Sequence, residues 1–101
     1  MKSSFLVFGA GAWGTALALQ LARSNNKVVL SSFDENNLAK IKKNHENKKY
    51  LPGFKLPKEV LVEPLSEGLA EYSDSVVICV KSPYFKDALA LLKNNLCDKN
   101  L

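Results

Sequence analysis

Phe5-Leu6-Val7-Phe8-Gly9-Ala10-Gly11-Ala12-Trp13-Gly14 carries an apolar run straight into the spacing Gly-x-Gly-x-x-Gly. Thr15 to Ala22 follows at once and is rich in small residues and leucine. The order reads as strand, tight turn, helix. Each glycine has its own expected task. Gly9 permits the sharp turn out of the strand. Gly11, lacking a Cβ, lets a ligand approach the backbone. Gly14 lets the helix press onto the strand.

The first amides of such a helix have no internal partners, and the helix dipole adds to their pull on an anion. That is an expected site for the phosphates of a dinucleotide, NAD or NADP. The bare glycine spacing is a weak signal; the strand before it and the helix after it strengthen it.

Outward from this turn, Ser3 to Phe8 is expected as a strand buried on both faces, as in a parallel sheet. Residues 12 to 23 are expected as a helix. Gly14, Ala18 and Ala22 give it a smooth packing face, with Trp13, Leu17 and Leu21 as a bulky stripe beside it. Gly14→Val should block that packing and weaken cofactor binding. Ser24-Asn25-Asn26 ends the helix. Lys27 to Ser32 is the second strand, parallel to the first through a right-handed crossover.

The end of the second strand ordinarily selects the cofactor, an acid for NAD and an Arg for NADP. Here it reads Ser31-Ser32-Phe33-Asp34-Glu35. Asp34 stands 20 residues after Gly14, near the expected spacing. It also suits the N-cap of a helix over 35–44, the reading slightly preferred. Ser31, Ser32 and Asn36 remain able to bond a 2′-phosphate, so the residues leave NAD against NADP open.

Residues 45–53 read as a solvated connection turning at Pro52-Gly53, with His45 as a surface residue. Val60 to Val62 is a short strand, and 66–72 a short helix. Ser75 to Val80 is the most apolar later strand and is expected to be central. Pro83 suits the opening of a helix over 84–94. The loop at Lys81 to Pro83 would follow a carboxyl end of the sheet, where open α/β sheets bind ligands. The fold expected is α/β, a Rossmann-like doubly wound parallel sheet. It is incomplete, with about four strands and helices on both faces, forming one domain over 1–101.

The chain has 101 residues, 47% hydrophobic, with a formal charge of +4. One small core is within reach. The lysines concentrate between Lys40 and Lys58 without interleaved aromatics or a reading helix, so no nucleic-acid partner is expected. The mild excess suits phosphorylated small molecules. Two cysteines, Cys79 and Cys97, and one His give no metal cluster and no disulfide framework, so a cytoplasmic location is expected. No run reaches the length of a membrane span.

Taken together, these residues resemble the N-terminal part of NAD(P)-dependent glycerol-3-phosphate dehydrogenases of the bacterial biosynthetic kind. Gly9-Ala10-Gly11-Ala12-Trp13-Gly14-Thr15-Ala16-Leu17-Ala18 is similar to the family's Gly-x-Gly-x-Trp-Gly-Thr-Ala-Leu-Ala, the Trp being the specific part. Asn47-Lys48-Lys49-Tyr50-Leu51-Pro52-Gly53 resembles the family's Asn-x-(basic)-Tyr-Leu-Pro-Gly, and Val76 to Phe85 resembles its fourth strand and loop.

The resemblance implies that Gly9, Ala10, Gly11, Ala12, Trp13 and Gly14 line the dinucleotide. It places Phe33 at the adenosine end, where many members have Arg or His, and Tyr50, Ser82 and Phe85 beside the cofactor. Lys81 departs from a frequent Pro. Core packing is the competing role for Trp13, Tyr50 and Phe85.

The resemblance further implies hydride transfer between nicotinamide and dihydroxyacetone phosphate or sn-glycerol 3-phosphate, for phospholipid synthesis. The family's catalytic lysines fall beyond these residues, in part within a helical substrate domain absent here. No catalytic residue is therefore assigned, and the chain alone is expected to bind dinucleotide weakly without turnover. A homodimer is the protein partner considered. The alternatives are the cofactor domain of another oxidoreductase, such as a ketopantoate reductase or 6-phosphogluconate dehydrogenase relative, and a non-catalytic module that binds nicotinamide dinucleotides. Trp13 and the Tyr-Leu-Pro-Gly segment argue against the first alternative.

Overall fold

The computed structural model describes residues 3–64, 75–80, 83, 86–87 and 90. The elements in order are β1 (Ser4–Phe8), α1 (Ala12–Arg23), β2 (Lys27–Ser31), α2 (Glu35–Asn44), β3 (Leu61–Val62) and β4 (Ser75–Ile78). All strand pairings are parallel, and the sheet order is β3-β2-β1-β4. The chain therefore starts in the middle of its sheet, steps outward twice, and returns to the other side of β1. Strand order reverses between β1 and β4, the place where doubly wound sheets open a crevice.

Leu6, Val7 and Phe8 are all completely buried, as an apolar strand covered on both faces should be. The register pairs Phe5 with Val28 and Val7 with Leu30, so these side chains share one face. Val7, Val28, Leu30 and Val62 pack in one cluster with Ala18 and Leu19 of α1 and Leu38 and Ile41 of α2. Both helices thus cover the same face. The expected helices over 66–72 and 84–94 fall largely outside the described residues, although Lys86, Asp87 and Ala90 have helical backbone.

α1 occupies residues 12–23, as its pattern suggests, and Ser24 closes it with its amide on the Gln20 carbonyl at 3.1 Å. Asn25 takes the left-handed conformation, and Asn26 returns both its amide and its carboxamide to the Leu21 carbonyl. β4 differs from its expected central place. Among the described residues it ends the sheet, paired only with β1; Ser75 is exposed and Val76 to Ile78 are half-buried.

The solvated connection expected over 45–53 holds at 48–50 and at the Pro52-Gly53 turn, which are exposed, and is corrected at His45 to Asn47. His45 is half-buried, takes a left-handed φ of 52° and ends α2 by bonding its amide to the Ile41 carbonyl. Glu46 and Lys55 form an antiparallel bridge, and Asn47 is wholly buried. Leu56 and Val60 then join the core. The segment folds back because those apolar residues just beyond it must be buried.

Candidate functional site: the β1–α1 turn

Gly9 sits at φ +123°, a conformation side chains rarely adopt, and a Cβ there would overlap the carbonyl of Cys79 in the neighbouring chain segment. Its amide donates to the Ser31 carbonyl at 2.8 Å. At Gly14 a Cβ would run into the Gly9 carbonyl, backbone that has nowhere to go. The helix therefore presses on the turn itself rather than on the strand. These two glycines are spent on closing the turn.

Gly11 is different. A Cβ there would meet nothing within 4 Å. Gly11 is the N-cap of α1 and has no side chain with which to cap it, and the first turn carries no acidic residue. Among the described residues, no side-chain cap and no acid of the first turn takes up the free amides of α1. α2 is the counterexample. Asp34 caps it, with Oδ1 accepting the Asn37 amide at 3.0 Å, and Glu35 stands in its first turn. Both devices repel phosphate from α2 and are missing from α1.

The turn opens on a cleft of about 590 Å³ lined by Gly9, Ala10, Gly11, Ser32, Phe33, Asp34, Asn37, Tyr50, Cys79, Val80 and Asp87. A ligand pocket is typically of roughly 300–1,000 Å³. A second cavity of about 610 Å³ lies at the amino ends of the strands, against Ser4, Asn25 and Lys27. It has no glycine turn and no helix N-terminus, and it is at the wrong end of a parallel sheet for a ligand.

Asn47 holds the turn in place. Its Nδ2 donates to the Ala10 carbonyl at 2.7 Å and to Thr15 Oγ1 at 2.8 Å. Its Oδ1 accepts from Asn37 Nδ2 and from the Tyr50 amide, both at 3.3 Å. The amide orientation is dictated by chemistry, because a carbonyl only accepts and a backbone N–H only donates. One side chain thus joins the glycine turn, α1, α2 and the segment carrying Tyr50. Asn47, Thr15 and Asn37 are buried polar residues that the sequence reading did not select. Ser31 is buried too, so polar type alone does not single them out; Thr15 and Asn47 do fall in two of the segments that resemble the family.

At the far end of the cleft, Phe33 packs edge-on against Phe8 with ring centroids 5.0 Å apart. Lys49 Nζ lies 3.6 Å from Asp34 Oδ2 and 5.1 Å from the centre of the Tyr50 ring. The Asn37 amide, helped by Lys49, holds the Asp34 carboxyl below its ordinary value. Tyr50 first, then Asp34, raise the Lys49 ammonium above its own.

Of the expected site residues, Gly9, Ala10, Gly11, Phe33 and Tyr50 meet at this cleft. Gly14 is buried behind it. Ala12 is exposed at the start of α1, and Trp13, 85% exposed, is not core. Ser82 and Phe85 lie outside the described residues. Burial pushes the Cys79 thiol up, so it is a packing group rather than a nucleophile. Among the described residues no His, Cys, Asp and Glu side chains group to hold a metal ion.

A parallel sheet with a glycine turn and an uncapped helix at its crevice defines a dinucleotide-binding domain. Residues 4–101 match the family model described as NAD-dependent glycerol-3-phosphate dehydrogenase N-terminus. The chain belongs to that family.

It is 35% identical over 98 residues to the glycerol-3-phosphate dehydrogenase (NAD(P)+) of Colwellia psychrerythraea, covering 97% of this chain and 29% of that protein. It is 38% identical over 86 residues to the enzyme of the same name from Wigglesworthia glossinidia brevipalpis, covering 85% of this chain and 26% of that one. The crystal structure of glycerol-3-phosphate dehydrogenase from Coxiella burnetii superposes with a TM-score of 0.87 at 30% identity, covering 94% of this chain and 29% of that one. The yeast enzyme shares the fold, with a TM-score of 0.79 at 24% identity, covering 95% of this chain and 31% of that one. The chain thus spans less than a third of the length of these relatives.

Proposed function

We propose that this chain is the cofactor-holding domain, over residues 1–101, of a glycerol-3-phosphate dehydrogenase that interconverts dihydroxyacetone phosphate and sn-glycerol 3-phosphate. The observation that carries the reading is the open space at Gly11 over an uncapped helix N-terminus. It fits a diphosphate, because an anion can reach the backbone amides with no Cβ at Gly11 and no capping side chain or first-turn acid on α1 in the way. When bound, the nicotinamide cofactor supplies or accepts the hydride.

The chain's residues bind and orient. Amides at the start of α1 take the diphosphate. Gly9 and Gly14 let the turn close tightly enough to present those amides. Asn47 fixes the turn against α2, and Phe33, Asp34 and Tyr50 flank the adenosine end. The groups that polarise the carbonyl and move the proton lie outside these residues, in part in a helical substrate domain. The product would serve phospholipid synthesis in the cytoplasm, and a homodimer is the expected assembly. No helix of the described residues is long and apolar enough to cross a membrane.

The test is oxidation of NADH or NADPH with dihydroxyacetone phosphate by a purified protein that joins this chain to a helical substrate domain, since residues 1–101 alone should bind dinucleotide without turnover. Cofactor oxidation that depends on this substrate supports the proposal. Tight dinucleotide binding without turnover would favour the non-catalytic module, and absence of dinucleotide binding would remove the reading.

A further inference from the structure

Which dinucleotide the cleft takes depends on how it treats the adenosine ribose. A 2′-phosphate brings about −1.5 to −2 charges. Doubly wound domains receive it on an Arg near the end of the second strand and exclude it with an acid. Residues 31–36 contain no Arg or Lys and include Asp34 and Glu35. On that stretch alone, a 2′-phosphate would meet uncompensated negative charge.

The fold changes this by bringing in a cation from a distant stretch. Asn47, pinned to Ala10 and Asn37, carries the following residues back over the end of β2. Lys49 then sits 3.6 Å from Asp34 Oδ2, and Asp34 and Tyr50 both line the cleft with Gly9 and Gly11. The Lys49 side chain is 56% exposed, and it is held beside Asp34, which lines the cleft. The other carboxylate oxygen of Asp34 is held by the cap of α2, so the acid cannot turn away. Ser32 Oγ accepts the Asp34 amide at 3.2 Å, which uses a lone pair and not the hydroxyl proton.

We propose that Lys49 is the specificity-determining residue that admits a 2′-phosphorylated dinucleotide, neutralising Asp34 and pairing with the ribose 2′-phosphate beside the Ser32 hydroxyl. The proposal rests on the reading of the cleft as a dinucleotide site. With a free 2′-hydroxyl in the cleft, Lys49 stays on Asp34 and the carboxylate serves the hydroxyl, so both cofactors are accepted. Without Lys49, a 2′-phosphate loses its cation and faces the bare carboxylate.

The experiment is calorimetric titration of the purified protein with NADH and with NADPH, in the wild type, Lys49→Met and Lys49→Arg. Lys49→Met should weaken NADPH about tenfold or more, as expected for losing a charge-assisted phosphate contact, and leave NADH within about twofold. Lys49→Arg should hold NADPH within about threefold, because the charge and phosphate-binding capacity remain. Equal losses for both cofactors, or no loss for NADPH, would overturn the proposal. Wild-type binding of NADH without NADPH would overturn it while leaving the dinucleotide site standing. Binding of neither would remove both.

Discussion

The Asn47 carboxamide nitrogen lies 2.7 Å from the Ala10 carbonyl oxygen, a bond across 37 positions of sequence. It ties the glycine turn to a segment that would otherwise be a surface loop. Every hydrogen-bonding position of the carboxamide is used. Asn47→Ala would leave the Ala10 carbonyl and the Asn37 carboxamide Nδ2 buried without their partner, at about 1–3 kcal/mol for each unsatisfied group. We expect a loss of about 3 kcal/mol in urea unfolding. Dinucleotide affinity, measured under conditions where the variant is folded, should also fall. Asn47→Asp should behave similarly, since a carboxylate cannot donate to Ala10.

The three glycines of the turn should separate cleanly. Gly14→Ala and Gly9→Ala place a methyl against backbone and should cost about 3 kcal/mol or more. Gly11→Ala has open space and a negative φ, so stability should change by no more than about 1 kcal/mol. The same methyl stands where the diphosphate must come. Dinucleotide affinity should therefore drop at least about tenfold in a variant of near wild-type stability. Paired unfolding and titration measurements on each variant check this.

Much of this site is legible in the sequence because local rules decide it. The strand, turn and α1 follow from an apolar run, three glycines and small residues at helical spacing. The Asp34 cap follows from an acid directly before a helical pattern, and the structure bears it out. Asn47 and Lys49 are not legible in that way. Polar residues between Asn44 and Pro52 read as wet, and only Leu56 and Val60 further along, drawn into the core, fold them back over the turn. Trp13 is the opposite case: its stripe with Leu17 and Leu21 suggests burial, yet position 13 lies on the first turn, beyond the sheet it would cover.

Acid should weaken the fold through two carboxylates, the exposed Asp34 and the half-buried Glu46. Asp34 is held low first by the Asn37 amide, and Glu46 first by the Gly53 amide, with Lys49 and Lys55 assisting. A carboxyl with a depressed folded value contributes stability above its unfolded value. That contribution is lost as pH falls through the folded value. Urea unfolding should therefore show stability from these groups intact above roughly pH 4–4.5 and declining below it. The double variant Asp34→Asn, Glu46→Gln should flatten that decline, while Asn still caps α2. An unchanged decline would contradict the assignment.

Trp13 is the chain's one tryptophan and is 85% exposed at the start of α1. Trp13→Ala should alter stability by no more than about 0.5 kcal/mol, as for exposed side chains generally. In the wild type, its fluorescence should shift when NADH enters the adjoining cleft. A silent Trp13 under saturating NADH would place the ligand elsewhere.

Backbone amide chemical shifts recorded while NADH is added to the purified protein test the central claim most directly. The account predicts the largest shifts at Gly11, Ala12 and Trp13, with further shifts at Phe33, Asp34 and Tyr50. Shifts gathered instead around Ser4, Asn25 and Lys27, or saturating NADH that leaves the Gly11 to Trp13 amides unmoved, would contradict it.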